Sequence, residues 1–111
     1  MSDYVNTCID IVENRLKVAQ ELGADGTILI KPGIGPEELS NEVKNVLGEK
    51  KPNVSIECSG AESSIKLAIL ATKSGGTVVL VGSGSPEVKI PVVNVASREV
   101  DIRGVFRYAN W

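Results

Sequence analysis

Asp10 closes the apolar run Val5-Asn6-Thr7-Cys8-Ile9, and a helical pattern opens shortly after it, near Glu13. An acid at the carboxyl end of such a strand is the group that grips ribose hydroxyls in dinucleotide-binding folds. There it stands about 20 residues after a glycine-rich phosphate turn. A carboxylate at this point also repels a 2′-phosphate, which favours NAD over NADP. The plainer reading of Asp10 is a helix cap or a solvated charge. Only nine residues precede it. That is too short for a strand, a Gly-x-Gly-x-x-Gly turn and a helix.

Three further groups could do chemistry. Gly82-Ser83-Gly84 follows a buried-type strand and has the look of a phosphate loop. It lacks a third glycine, and Pro86 blocks the usual helix start, so a tight turn explains it equally well. Arg107-Tyr108 ends the last strand and reads either as surface or as a substrate contact. Cys8 and Cys58 lie on apolar strand-like runs, where a free cysteine acts as a small buried hydrophobe. The sequence has no histidine. That excludes a histidine base, a Ser-His-Asp arrangement and any zinc site that needs an imidazole. Lys44, Glu49, Lys50 and Lys51 read as a solvated helix end.

The elements that must position these groups alternate between strand and helix. Strands are expected at Val5–Asp10, Gly26–Ile30, Asn53–Cys58, Thr77–Val81 and Glu99–Phe106, with a short edge strand at Val88–Ile90. Helices are expected at Glu13–Leu22, from Pro36 to about Leu47, from Ala61 to about Thr72, and at Pro91–Ser97. Leu16, Ala19 and Leu22 share the apolar face of the first helix, and Gly23 and Gly48 suit helix ends. Thr77-Val78-Val79-Leu80-Val81 is apolar without alternation, as in a strand covered on both faces.

Such alternation builds a parallel sheet with helices on its faces, and ligands bind outside the carboxyl ends of its strands. Asp10, Lys31, Cys58-Ser59-Gly60, Gly82-Ser83-Gly84 and Phe106-Arg107-Tyr108 all gather at that edge. The fold class is therefore α/β: an incomplete Rossmann-like doubly wound parallel sheet lacking the first βα unit. In the order 3-2-1-4-5-6 the absent strand is the central one. Its absence leaves two parallel edges facing a gap. The gap closes, or is filled by residues 1–6 or another chain, or leaves the fold weak and prone to associate through its edges. Reduced stability relative to an intact domain is the expectation.

Composition narrows the rest. At 111 residues the chain fits one domain. Its 12 basic and 14 acidic residues give a net charge of −2, and it has one Trp, two Tyr and one Phe. With no basic stripe and few aromatics, a nucleic-acid partner is not expected. No run approaches the ~20 apolar residues of a membrane span. Met1-Ser2-Asp3-Tyr4 lacks the regions of a signal peptide. A cytoplasmic protein without membrane attachment is the default, and a disulfide is not expected there.

Several stretches carry a specific resemblance. They are Ile9-Asp10-Ile11-Val12-Glu13-Asn14-Arg15-Leu16, Ala19 to Asp25, Glu57-Cys58-Ser59-Gly60-Ala61-Glu62, Ser74-Gly75-Gly76 and Arg98 to Tyr108. Together they resemble the sorbitol (L-iditol, xylitol) branch of the zinc-containing, medium-chain polyol and alcohol dehydrogenases, over about Thr7 to Trp111. The resemblance implies that residues 1–111 are a partial NAD-binding domain whose catalytic zinc domain is absent. The family oxidises a polyol to a ketose, passes a hydride to NAD and uses a catalytic zinc, for which no ligands stand here.

Site residues follow by the same resemblance. Asp10 corresponds to the ribose acid and Arg15 to an arginine beside it. Val81, Gly82 and Ser83, with Val105, Phe106 and Arg107, correspond to segments on the nicotinamide side. Arg107 and Tyr108 correspond to residues that reach the substrate. The parent enzyme would act on a small polyol or ketose, such as sorbitol and fructose, while this chain alone would be inactive. The alternative is a non-catalytic remnant that binds nucleotide weakly or associates with a full-length subunit. Val88–Ile90 and Val100–Phe106 are the expected edge for a homo-oligomer.

Overall fold

The computed structural model describes residues 5–106. In chain order the elements are β1 (Thr7–Asp10), α1 (Glu13–Glu21), β2 (Gly26–Leu29), α2 (Pro36–Val46), β3 (Val54–Glu57), α3 (Glu62–Ala71), β4 (Thr77–Leu80), α4 (Val92–Ser97) and β5 (Asp101–Gly104). Every strand pairing among the described residues is parallel. The class expected from the sequence is the class observed.

Local chemistry accounts for the boundaries. Pro36 opens α2 with Glu37 and Glu38 in its first turn, and Lys44 lies in its last, so both ends match the helix dipole. Gly23 takes a φ of 111° where α1 ends and Gly48 takes 68° where α2 ends, a conformation that glycine adopts without strain.

Two apolar clusters hold the layers together. Ile28, Leu39, Val43, Leu67 and Ala71 form the first, beneath β2, and Ile9 packs against it. Ile65, Ala68, Ile69, Val78 and Val100 form the second, beneath β4. Helix α3 supplies residues to both. Fully burying one such aliphatic side chain stabilises the fold by about 1.5–3 kcal/mol, so α3 is a principal tie between the two halves.

The strands form two sheets, β1-β2 and β3-β4-β5. In the doubly wound numbering the spatial order is β2, β1, a vacant position, then β3, β4, β5. Among the described residues the sheet does not close up, since β1 and β3 do not pair. Among the described residues no strand pairs with the inner edge of β1 or of β3. A cleft of about 930 Å³ occupies the space between them.

Four expectations need correction. Val88–Ile90 is not a strand: Pro86 and Pro91 flank it, and the Lys89 amide is taken by the Glu62 carboxylate instead of a ladder. The last strand begins at Asp101, because Glu99 sits at a φ of 55° and the Val100 amide still bonds Val95. Cys58 is exposed and Cys8 half-buried, since both border the cleft. Leu22 is exposed although it shares the apolar face of α1, because that face also borders the cleft.

Candidate functional site

Asp10 ends β1 and turns the chain into α1. Its Oδ1 accepts from the Val12 amide at 2.9 Å. The Arg15 guanidinium stands 3.8 Å from the same oxygen. Both side chains border the cleft. This bond closes a local turn ahead of α1, whose N-cap is Val12 and which has no side-chain cap bond, and it holds the carboxylate at the strand end. The ion pair is exposed on the arginine side and adds little stability by itself.

The next two strand ends interlock. Glu57 ends β3 and is only 5% exposed. Its Oε1 accepts from the Ser59 amide at 2.8 Å and from the Ser59 hydroxyl at 2.5 Å. The Gly60 amide donates to Oε1 at 3.0 Å and to Oε2 at 2.9 Å. A buried carboxylate is tolerable only when its lone pairs are met in this way. Ser59 Oγ in turn accepts from the Ala61 amide, the N-cap of α3, at 3.2 Å.

The loop after β4 crosses this turn at backbone distance. A Cβ on Gly82 would lie 2.3 Å from the Gly60 nitrogen, and one on Gly84 would lie 2.3 Å from the Gly60 oxygen. Gly60 itself takes a φ of 78°. These glycines have an internal reason to be glycine, namely the crossing of two loops. A smaller cleft of about 310 Å³ opens between them and the start of α3, bordered by Ser59, Glu62, Gly84 and Glu87.

The structure thus pairs Asp10 with Arg15, and sets Gly82 and Ser83 against the β3 turn. Val81 continues β4 by donating to Glu57 O at 2.9 Å, and Val105 continues β5 by donating to Leu80 O at 3.0 Å. Phe106 is exposed at the end of β5. Arg107 and Tyr108 lie outside the described residues. Glu57 is the site residue that residue-by-residue reading missed. It stands in the sequence as one residue of a strand, and the Ser-Gly that follows it supplies the amides within reach.

Parallel strands in the doubly wound order, with an acid and glycine turns at their carboxyl ends, define the Rossmann-like cofactor-binding layer of zinc alcohol dehydrogenases. The chain belongs to the zinc-binding dehydrogenase family, whose sequence profile matches residues 5–111. Sorbitol dehydrogenase of Mus musculus is 52% identical over 101 residues, which is 91% of this chain and 28% of that protein. The Homo sapiens enzyme is 50% identical over 101 residues, with the same coverage of 91% and 28%. The chain spans about 28% of the length of these curated relatives.

Solved structures agree on the fold. L-idonate 5-dehydrogenase of Escherichia coli K-12 superposes with a TM-score of 0.73 at 26% identity, over 94% of this chain and 28% of that one. An alcohol dehydrogenase of Escherichia coli CFT073, solved with NADH, superposes with a TM-score of 0.79 at 24% identity, over 95% and 30%. Both halves of the chain therefore superpose together on one neighbour.

The site fits one family cofactor better than the other. The anchored Asp10 carboxylate suits ribose hydroxyls. Among the described residues no three His, Cys, Asp or Glu side chains are placed to share a metal ion, so zinc has no ligand set on them. Among the described residues no helix is long and apolar enough to cross a membrane.

Proposed function

We propose that this chain is part of the NAD-binding layer of a polyol dehydrogenase whose parent oxidises a secondary alcohol, as of sorbitol, to a ketone. The observation that carries this reading is Asp10, fixed by the Val12 amide at the carboxyl end of β1 and facing the cleft. Its carboxylate accepts from the adenosine ribose hydroxyls, and Arg15 borders the same sugar. Val81, Gly82, Ser83, Val105 and Phe106 lie along the nicotinamide side. Arg107 joins them there and, with Tyr108, reaches the substrate. NAD, when bound, supplies the hydride acceptor. Residues 1–111 then form a partial cofactor domain, and the zinc ligands stand on other residues of the parent.

A second reading concerns this chain alone. Among the described residues no turn spans the gap between β1 and β3 to hold a pyrophosphate. The 111 residues by themselves thus bind nucleotide weakly and do not turn over sorbitol. Support for a homo-oligomer through the β5 edge comes from the exposure of Ile102 and Val105 there.

Titration of the labelled chain with NAD, followed by amide chemical shifts, tests both readings. Millimolar NAD is expected to move the Val12 signal, NADP to move it less, and Asp10→Ala to weaken NAD by about tenfold, the loss of one charged hydrogen bond. Equal response to NAD and NADP would remove Asp10 from the ribose. Submicromolar affinity of the isolated chain would overturn the second reading.

A further inference from the structure

Asp25 is followed by Gly26, and no other Asp or Asn of the chain has glycine after it. An aspartate closes on its own backbone most readily before glycine, because no Cβ crowds the attacking nitrogen. Two groups must meet for that closure: the Gly26 nitrogen and the Asp25 side-chain carboxyl.

Both groups are bonded to the backbone of a single residue. The Asn6 carbonyl accepts from the Asp25 amide at 2.9 Å and from the Gly26 amide at 3.1 Å. The Asn6 amide donates to Asp25 Oδ2 at 2.8 Å. These three bonds form a clasp where β2 begins at Gly26. Gly26 is packed on one side, since a Cβ on it would lie 3.0 Å from Val46 Cγ1 and 3.4 Å from Thr7 Oγ1. Asp25 itself is exposed, so water reaches it.

We propose that Asp25-Gly26 is a site of spontaneous isomerisation, latched by the Asn6 backbone and released when β1 parts from β2. In the reaction the Gly26 nitrogen attacks Asp25 Cγ. A C–N bond forms, a carboxyl C–O bond breaks and one water leaves with the amide proton, giving a five-membered imide. Water then adds to either imide carbonyl and breaks its bond to nitrogen. Addition at the Asp25 backbone carbonyl gives isoaspartate, with the chain running through the side-chain carboxyl. Atoms balance with water alone. Closure requires the Gly26 amide and the carboxylate to leave Asn6, so its rate follows the population of the open clasp.

The product acts on the sheet. Isoaspartate adds one methylene to the backbone just ahead of β2. The pairing that runs from Thr7 with Gly26 to Asp10 with Leu29 then loses its register. The site is thus a one-way timer on the pairing of β1 with β2. It does not depend on the cofactor reading, and the two fail separately.

The test ages the full 111-residue chain beside a peptide of Gln20 to Lys31, which contains no part of β1. Both are kept in warm neutral buffer made with oxygen-18 water, and peptide mapping reads heavy oxygen and isoaspartate at Asp25. The folded chain is expected to isomerise about tenfold or more slowly than the peptide. Asn6→Pro removes the N–H that holds Oδ2 and is expected to speed the reaction. Asn6→Ala keeps all three backbone bonds and is expected to leave the rate unchanged. Amide exchange at Ile30, which donates to the Asp10 carbonyl, is expected to quicken in the isomerised fraction. Circular dichroism checks that the proline variant folds, and the comparison of chain with peptide stands without it.

Four results would overturn the proposal. One is equal rates in chain and peptide, which would mean that Asn6 latches nothing. Another is a peptide that forms no isoaspartate. The third is Asn6→Ala quickening the reaction as much as Asn6→Pro. The last is unchanged exchange at Ile30 after isomerisation.

Discussion

The Gly60 amide donates to both carboxylate oxygens of Glu57, at 3.0 and 2.9 Å. One buried acid thereby sets the turn between β3 and α3, and that turn carries the crossing loop after β4. The carboxyl-end rim of this half of the sheet rests on a single side chain.

Glu57→Ala removes the acceptor for two amides and a hydroxyl. Each buried donor left unmet costs about 1–3 kcal/mol, so a loss of about 3 kcal/mol is expected in urea unfolding. Glu57→Gln keeps one acceptor oxygen and is expected to lose less. A loss under about 1 kcal/mol for Glu57→Ala would mean that the amides find other partners.

Gly82→Ala places a methyl 2.3 Å from the Gly60 nitrogen, where backbone must move. Forcing loops apart in this way costs about 1–3 kcal/mol. Amide shifts at Ser59, Gly60 and Gly84 are expected to change together. A change confined to Gly82 itself would show that the loops are not coupled.

Arg98 joins α3 to α4. It donates to the Thr72 and Ile69 carbonyls at 2.7 and 2.6 Å, and to Asn94 Oδ1 at 2.9 and 2.7 Å. It satisfies carbonyls at the end of α3 that have no partner within the helix. Arg98→Ala is expected to lower stability by about 2 kcal/mol, and Arg98→Lys to recover only part, since an ammonium lacks the fork. Equal stability of the lysine variant and the parent, by thermal unfolding, would refute the forked geometry.

Lys51 donates from Nζ to the Leu70 carbonyl at 3.1 Å. Partial burial holds its amine below the ordinary 10.5, and the positive charges of Arg98 and Lys44 add to this. A lowered folded pKa means that the unfolded chain binds more protons between that pKa and 10.5. Stability from this group therefore rises with pH through that window and is flat below it. The Lys51 side-chain carbon signals are expected to titrate below 10.5 in the folded chain. Titration at or above that value would contradict the partial burial.

Much of the architecture was legible because helix and strand periods differ so clearly. Leu39 and Val43 fall on one face of α2, and Thr77–Leu80 is apolar without a break, so both elements could be placed from the chain alone. What escaped depends on contacts between distant segments. Val88–Ile90 has strand-forming residues, but its amide is drawn to Glu62, a helix earlier. Cys58 looked buried because its own run is apolar, yet its exposure is set by what lies beyond the β3 edge. The bond from the Val12 amide to Asp10 spans only two residues and so depends on local sequence alone. The role of Glu57 rests on the turn that follows it, which a strand pattern does not reveal.

Helix α3 turns Leu67 and Ala71 toward one apolar cluster and Ile65, Ala68 and Ile69 toward the other. Each residue step rotates a helix by about 100°, so a slip of one position would empty both clusters together. The two sheets, which share no ladder among the described residues, are thereby mechanically geared: neither can loosen its packing without turning the common shaft beneath the other.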